Sequence, residues 1–214
     1  MLKYITVKFE NYYKVIKCYY LVVKMDVYDA IVARRSIRRF KQEPIKLELL
    51  KKFVNAARLA PSAANLQPLE YFIVYDKNLC SMVFKTLSWA GYIKPKWSPN
   101  ENERPTAYII ILVKESSNNW YQRDASFAAE NIVLAAEGER IGSCVLCKID
   151  KDKLRDELNI PEEIIIDSVI ALGYKQEKSV VEDFKDSIKY WRDENNIMHV
   201  PKKNSDEITH INEY

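Results

Sequence analysis

Four arginines and a serine stand close together in the run Arg34-Arg35-Ser36-Ile37-Arg38-Arg39-Phe40. A guanidinium presents a planar fork of N–H donors that matches phosphate oxygens, and a serine hydroxyl adds a short donor. If the backbone is extended here, Arg34, Ser36 and Arg38 point to one side and form a phosphate grip. The competing reading is a basic helix C-terminus that complements its own dipole. A second polar group lies in Pro61-Ser62-Ala63-Ala64-Asn65-Leu66-Gln67-Pro68. There Ser62, Asn65 and Gln67 offer hydroxyl and amide groups from a loop bounded by prolines. Such groups suit a heteroaromatic ring carrying both donors and acceptors, although they also suit an ordinary polar loop. A third run, Ile141-Gly142-Ser143-Cys144-Val145-Leu146-Cys147, follows a long Ala-rich stretch that Gly142 is expected to terminate. Its cysteine spacing has neither a second pair nor an upstream histidine to complete a zinc site. Two buried strand cysteines are the better reading.

What the chain lacks narrows the chemistry. Its two histidines, His199 and His210, both stand near the C-terminus, which argues against metal centres and histidine-based nucleophilic triads. Four glycines, Gly91, Gly138, Gly142 and Gly173, assemble neither a P-loop nor a GxGxxG turn. A bound phosphate must therefore be held by side chains and helix ends. The formal net charge of +3 is concentrated in residues 1–24, where Lys3, Lys8, Lys14, Lys17 and Lys24 face only Glu10. The rest is close to neutral and shows no basic stripe, so no nucleic-acid partner is expected. The longest apolar run, residues 15–23, is interrupted by Lys17 and too short to span a bilayer, so no membrane partner is expected either. Four cysteines in 214 residues make no disulfide framework, and the expected compartment is the cytoplasm.

The elements that must position these residues alternate along the chain. Asp26 is a plausible cap for a helix over 26–35, and Met25 before it resembles a natural start, which would make residues 1–24 an upstream extension. An extra element packed on the body is the alternative. Helical spacing of Leu47, Leu50, Phe53, Val54 and Ala57 predicts a helix over 46–59. Strands are expected at 71–75, 107–113, 144–149 and 165–172, and helices at 79–87, 125–139 and 151–158, with a long loop over 88–105. The tail from 180 onward has many apolar residues but few helix or hairpin signals. The class is α+β, with mixed element order and no doubly wound repeat.

Taken in order, RRSIRRF, PSAANLQP, DASFAAENIVLAAE leading into RIGSC, and ALGYK (residues 171–175) resemble the nitroreductase family from Met25 to about Lys175. The resemblance implies a nitroreductase-like α+β fold: a central mixed, mainly antiparallel sheet flanked by helices, with a domain-swapped C-terminal arm. It divides the chain into an extension at 1–24, an FMN-binding domain at 25–175 and an arm at 176–214 that wraps a partner subunit. It also implies a homodimer with flavin at the interface, NADH or NADPH as electron donor, and a small-molecule acceptor such as a nitroaromatic or quinone.

Residue by residue, the resemblance gives Arg34, Ser36 and Arg38, with Arg35 assisting, to the FMN phosphate and the ring's polar edge. Pro61, Ser62, Asn65 and Gln67 belong to the loop that meets the ring and ribityl, and Val145, Leu146 and Cys147 supply backbone contacts on the flavin's other side. Lys202 stands where an arginine usually reaches the phosphate, exchanging a bidentate contact for a point charge. Leu69 stands where a tryptophan commonly follows the second proline. No catalytic side chain is implied, because the reaction belongs to the cofactor. The alternatives are a flavoenzyme of the same fold with another reaction (dehalogenation, azoline oxidation or flavin fragmentation), a non-catalytic binding protein, and an adaptor acting through residues 1–24.

Overall fold

A computed structural model describes residues 25–114 and 120–214; the Lys- and Tyr-rich segment 1–24 lies outside the described residues. The main body contains α1 (Val27–Ala33), α2 (Leu47–Ala57), β1 (Leu69–Val74), α3 (Lys77–Phe84), β2 (Ala107–Lys114), α4 (Tyr121–Gly138), β3 (Ile141–Leu146), α5 (Lys151–Leu158) and β4 (Ile164–Tyr174). Three short strands follow: β5 (Ser179–Asp183), β6 (Trp191–Arg192) and β7 (Met198–Lys202). Among the described residues no helix is long and apolar enough to cross a membrane.

β2 is apolar along almost its whole length because the sheet order β1-β2-β4-β3 puts it inside, antiparallel to both neighbours. Its side chains alternate between two packed layers, as the pleat of a strand requires. Tyr108, Ile110 and Leu112 join Val83 and Phe84 of α3 and Leu154 and Leu158 of α5. Ala107, Ile109 and Ile111 join Leu50 and Phe53 of α2 and the small residues Ala125, Ala128 and Ala136 of α4. The sheet is thus covered on both faces, which explains an unbroken apolar run where a one-sided strand would alternate. The α+β class and the mainly antiparallel sheet agree with the expectation, and a parallel bridge from Ser36 to Ser143 makes the sheet mixed.

Boundaries shift where local chemistry outweighs apolar spacing. α3 starts at Lys77 rather than 79 because the Asp76 carboxylate accepts from the N–H groups of Asn78 and Leu79. β3 starts at Ile141 rather than 144, because Gly142 and Ser143 pair with Gly173 and Leu172 of β4. In the tail, local sequence gives little strand signal, yet β5 pairs in parallel with β7, and β7 antiparallel with β6. The parallel pair joins residues some twenty positions apart, which no hairpin signal announces.

Two glycines let the arginine run lie directly on this sheet. A Cβ on Gly173 would stand 2.8 Å from Cβ of Phe40, and one on Gly142 would stand 2.9 Å from Cγ of Lys175 and 3.0 Å from Cγ2 of Ile37. All three distances are inside van der Waals contact, so only a residue without Cβ permits the approach.

Candidate functional site

Residues 34–40 leave α1 as an extended segment that covers the free edge of β3. The N–H of Ile37 donates to the carbonyl of Ser143 at 2.8 Å, and that of Lys41 to the carbonyl of Tyr174 at 2.8 Å. Ile37 and Phe40 are buried in the core and anchor the segment. The polar residues between them are presented from a fixed backbone, with the edge strand capped rather than exposed.

The four arginines of this run have different partners. Nε of Arg39 lies 3.0 Å from the buried Glu103 carboxylate, and Nε of Arg34 lies 3.6 Å from Glu130 on α4. Arg35 turns its guanidinium back on its own helix, donating to the carbonyl of Arg34 and, at 2.7 Å, to that of Val32. Burial, and then the neighbouring Arg34 charge, lower its pKa. Arg38 differs from the others. Its guanidinium carbon lies 4.7 Å from the centre of the Tyr190 ring, and one terminal nitrogen makes a long 3.5 Å bond to the carbonyl of Ser36. Among the described residues it has no carboxylate partner, and its buried Nε has no hydrogen-bond acceptor. Ser36 stands beside the Cys144 thiol, which burial pushes up while the Arg38 charge works the other way.

The proline-bounded loop is built around an acid that sequence reasoning missed. Asp124, buried near the start of α4, accepts from the hydroxyl of Ser62 at 3.0 Å and from the N–H of Ala63 at 3.0 Å. The Ser62 oxygen in turn accepts from the N–H of Gln67 at 2.9 Å. The loop needs this support, since Ala64, Asn65 and Gln67 all adopt positive φ without being glycine. Each such residue costs about 1–3 kcal/mol and persists only because its surroundings hold it. Pro61, Asn65 and Gln67 are exposed, and a cavity of about 150 Å³ opens beside Ser62, Gln67, Tyr71 and Asp124. The signal for Asp124 was a lone acid heading an Ala-rich helix, which resembles an ordinary first-turn carboxylate. Replacing it by alanine removes two charge-assisted bonds worth about 1.5–3 kcal/mol each. Urea unfolding is expected to show Asp124→Ala destabilised by at least about 3 kcal/mol, with Asp124→Asn less affected because one oxygen acceptor remains. A loss below about 0.5 kcal/mol, within surface-mutation range, would show that the loop does not depend on this acid.

The third run ends the site. Val145 is exposed and Leu146 is buried in the core; pairing with β4 stops at Leu146, and Cys147 is exposed just beyond. Cys144 is buried, so the two thiols face different environments. Burial, and then Asp167, push the Cys147 thiol up.

Arg34, Ser36, Arg38 and Val145–Cys147 therefore lie along one edge of the sheet, tied through Ser36 and Ser143. The loop carrying Ser62, Asn65 and Gln67 is tied to α4 through Asp124, whereas Arg34 meets α4 at Glu130. Six helical residues rise about 9 Å and turn to faces about 120° apart. Lys202, at the end of β7 opposite Asp183, is exposed and makes no bond to the arginine run. Two further residues that the sequence did not single out, Glu177 and Tyr190, contact the run from the tail.

Comparison with known proteins points in one direction. The model of the nitroreductase family matches residues 31–174. The chain is 36% identical over 162 residues to an Archaeoglobus fulgidus protein named "Putative NADH dehydrogenase/NAD(P)H nitroreductase", covering 71% of this chain and 87% of that one. It is 27% identical over 165 residues to an iodotyrosine deiodinase of Thermotoga neapolitana, covering 69% and 88%. Its fold matches a Desulfovibrio desulfuricans structure described as "a putative nitroreductase in complex with fmn", with a TM-score of 0.60 and 25% identity over 71% of this chain and 87% of that one.

Proposed function

Because the chain belongs to the nitroreductase family, we propose that it is an FMN-dependent oxidoreductase carrying a hydride from NADH or NADPH to a small acceptor such as a nitroaromatic or quinone. The observation that carries this reading is Arg38, a partly buried cation with an unpaired Nε and no carboxylate partner among the described residues. A phosphate oxygen supplies the missing acceptor, and the Nε of Arg34, which has no hydrogen-bond acceptor and only the Glu130 carboxylate at 3.6 Å, fits the same group. When bound, FMN supplies the redox chemistry between nicotinamide and acceptor.

The chain's own part is grip and position. Arg34, Ser36 and Arg38 donate to the phosphate, and Arg35 assists mainly through its charge, since both its terminal nitrogens already donate to carbonyls of its own helix end. Backbone groups of Val145, Leu146 and Cys147, where strand pairing ends, line the ring on one side. Pro61, Ser62, Asn65 and Gln67 meet it from the other. Because the loop and the arginines leave α4 on different faces, the loop acts on a flavin held by the neighbouring subunit of a homodimer. The exposed apolar residues Val27, Tyr28, Ile31 and Val32 of α1 and Phe127 of α4 support such an interface. Residues 25–175 form the flavin domain in this reading. The 176–214 arm touches its own arginine run through Glu177 and Tyr190, and its exposed end after β7, with Ile208 and Ile211, lies over the partner, with exposed Lys202 at the junction directed at the phosphate there.

A second reading follows from the iodotyrosine deiodinase relative: the same flavin site serving reductive dehalogenation. One set of measurements separates them. The purified protein, incubated with FMN and freed of excess, is expected to be yellow with oxidised-flavin absorbance. It is expected to oxidise NADH or NADPH with a nitroaromatic or a quinone. Turnover of iodotyrosine without turnover of those acceptors would favour dehalogenation, and colourless protein that takes up no FMN would overturn both.

A further inference from the structure

We propose that Glu177 is the positioning residue of the phosphate-binding segment, acting on Arg38 through the backbone; this rests on the FMN reading above. One carboxylate oxygen, Oε1, accepts from the N–H of Arg38 and, at 3.2 Å, from the N–H of Arg39. Two consecutive amides held by one oxygen fix the backbone on both sides of the Arg38 side chain, and so its direction. The second oxygen, Oε2, lies 2.8 Å from Nη2 of Arg192 on β6. The Glu177 side chain is only 1% exposed and that of Arg192 only 12%.

This ion pair answers an electrostatic problem. A bare carboxylate directly beneath an anion-binding segment would repel the ligand that the segment collects. Arg192 neutralises it, and its own guanidinium carbon is held 4.9 Å over the Trp97 ring. Tyr190, one residue before β6, places its ring under the Arg38 guanidinium. The tail therefore sets Arg38 twice, through its backbone by Glu177 and through its side chain by Tyr190. Arg38 is left as a cation with a fixed direction and, among the described residues, no internal counter-ion. Buried charge pairs are replaceable by neutral groups of similar volume when both partners are exchanged together. That property lets the backbone contact be tested apart from the charge.

The test compares two double variants, Glu177→Ala with Arg192→Met and Glu177→Gln with Arg192→Met, by the ratio of FMN to riboflavin affinity. Both lack the ion pair; only glutamine retains an oxygen that accepts from the Arg38 and Arg39 amides. Riboflavin lacks the phosphate, so a merely structural loss lowers both ligands, whereas a misdirected Arg38 lowers FMN alone. The alanine variant is expected to lose at least about tenfold of the FMN preference, with riboflavin affinity within about threefold of wild type. The glutamine variant is expected to keep the preference within about threefold. Equal ratios in the two double variants overturn the proposal. If the alanine variant is insoluble, Glu177→Asp decides: it keeps the charge but withdraws the oxygen by one methylene, and an undiminished FMN preference there overturns it. Failure of the wild-type protein to bind FMN, or to prefer it over riboflavin, counts against the FMN reading itself.

Discussion

Replacing Arg38 by alanine is expected to weaken FMN binding by about 10- to 150-fold while leaving the fold nearly as stable as before. A charge-assisted hydrogen bond contributes about 1.5–3 kcal/mol, and every 1.4 kcal/mol is about tenfold in affinity. Stability changes little because, among the described residues, the side chain has few internal partners: a long bond to Ser36 and the face of Tyr190. Stacking of a partly exposed cation on an aromatic ring is worth about 0.5–1 kcal/mol. Arg34→Ala is expected to act in the same direction, with a smaller effect, because Arg34 already has Glu130 nearby. Titration of flavin fluorescence measures the affinity, and urea unfolding measures the stability. Unchanged FMN retention in both variants would remove the arginine run from the site.

Truncation after Lys175 is expected to do more, giving aggregated or flavin-free protein. It deletes Glu177, the acceptor for two backbone amides of the arginine run, and Tyr190, the ring beneath Arg38. It also deletes Met198, a fully buried side chain, whose burial is worth about 1.5–3 kcal/mol. The Arg39 carbonyl also loses the Gln176 N–H that donates to it. Losing the amide acceptors and the stacking together is expected to lower FMN affinity by at least about 100-fold. Light scattering and flavin absorbance on the truncated chain check this. A stable yellow monomer would show that the tail contributes neither to the site nor to an interface.

Most elements were legible because their signals are local. The apolar run at 107–113 marks β2, α5 begins after Asp150 and spans the helix expected at 151–158, and Asp26 caps α1. Such features depend on neighbours within a turn or on the pattern of one strand, and these can be read from a single chain. The arginine run and the proline-bounded loop were legible as donor-rich groups for the same reason. Family resemblance then joined them into one site, which spacing alone left open.

What tertiary structure decided is how distant residues meet. The strand order β1-β2-β4-β3 and the parallel pairing of β5 with β7 join segments that carry no mark of their partners. Gly173 has no local reason to be glycine; it is set by Phe40, which folding brings against it. Asp124 and Glu177 are two among 30 acidic residues in the sequence. Only the fold places one under Ser62 and Ala63 and the other under Arg38 and Arg39. Residue types therefore determined which chemistry the chain could offer, since donors and apolar faces are intrinsic to side chains. Direction and pairing were decided by long-range contacts, because a buried carboxylate acts through the amides that the whole fold delivers to it.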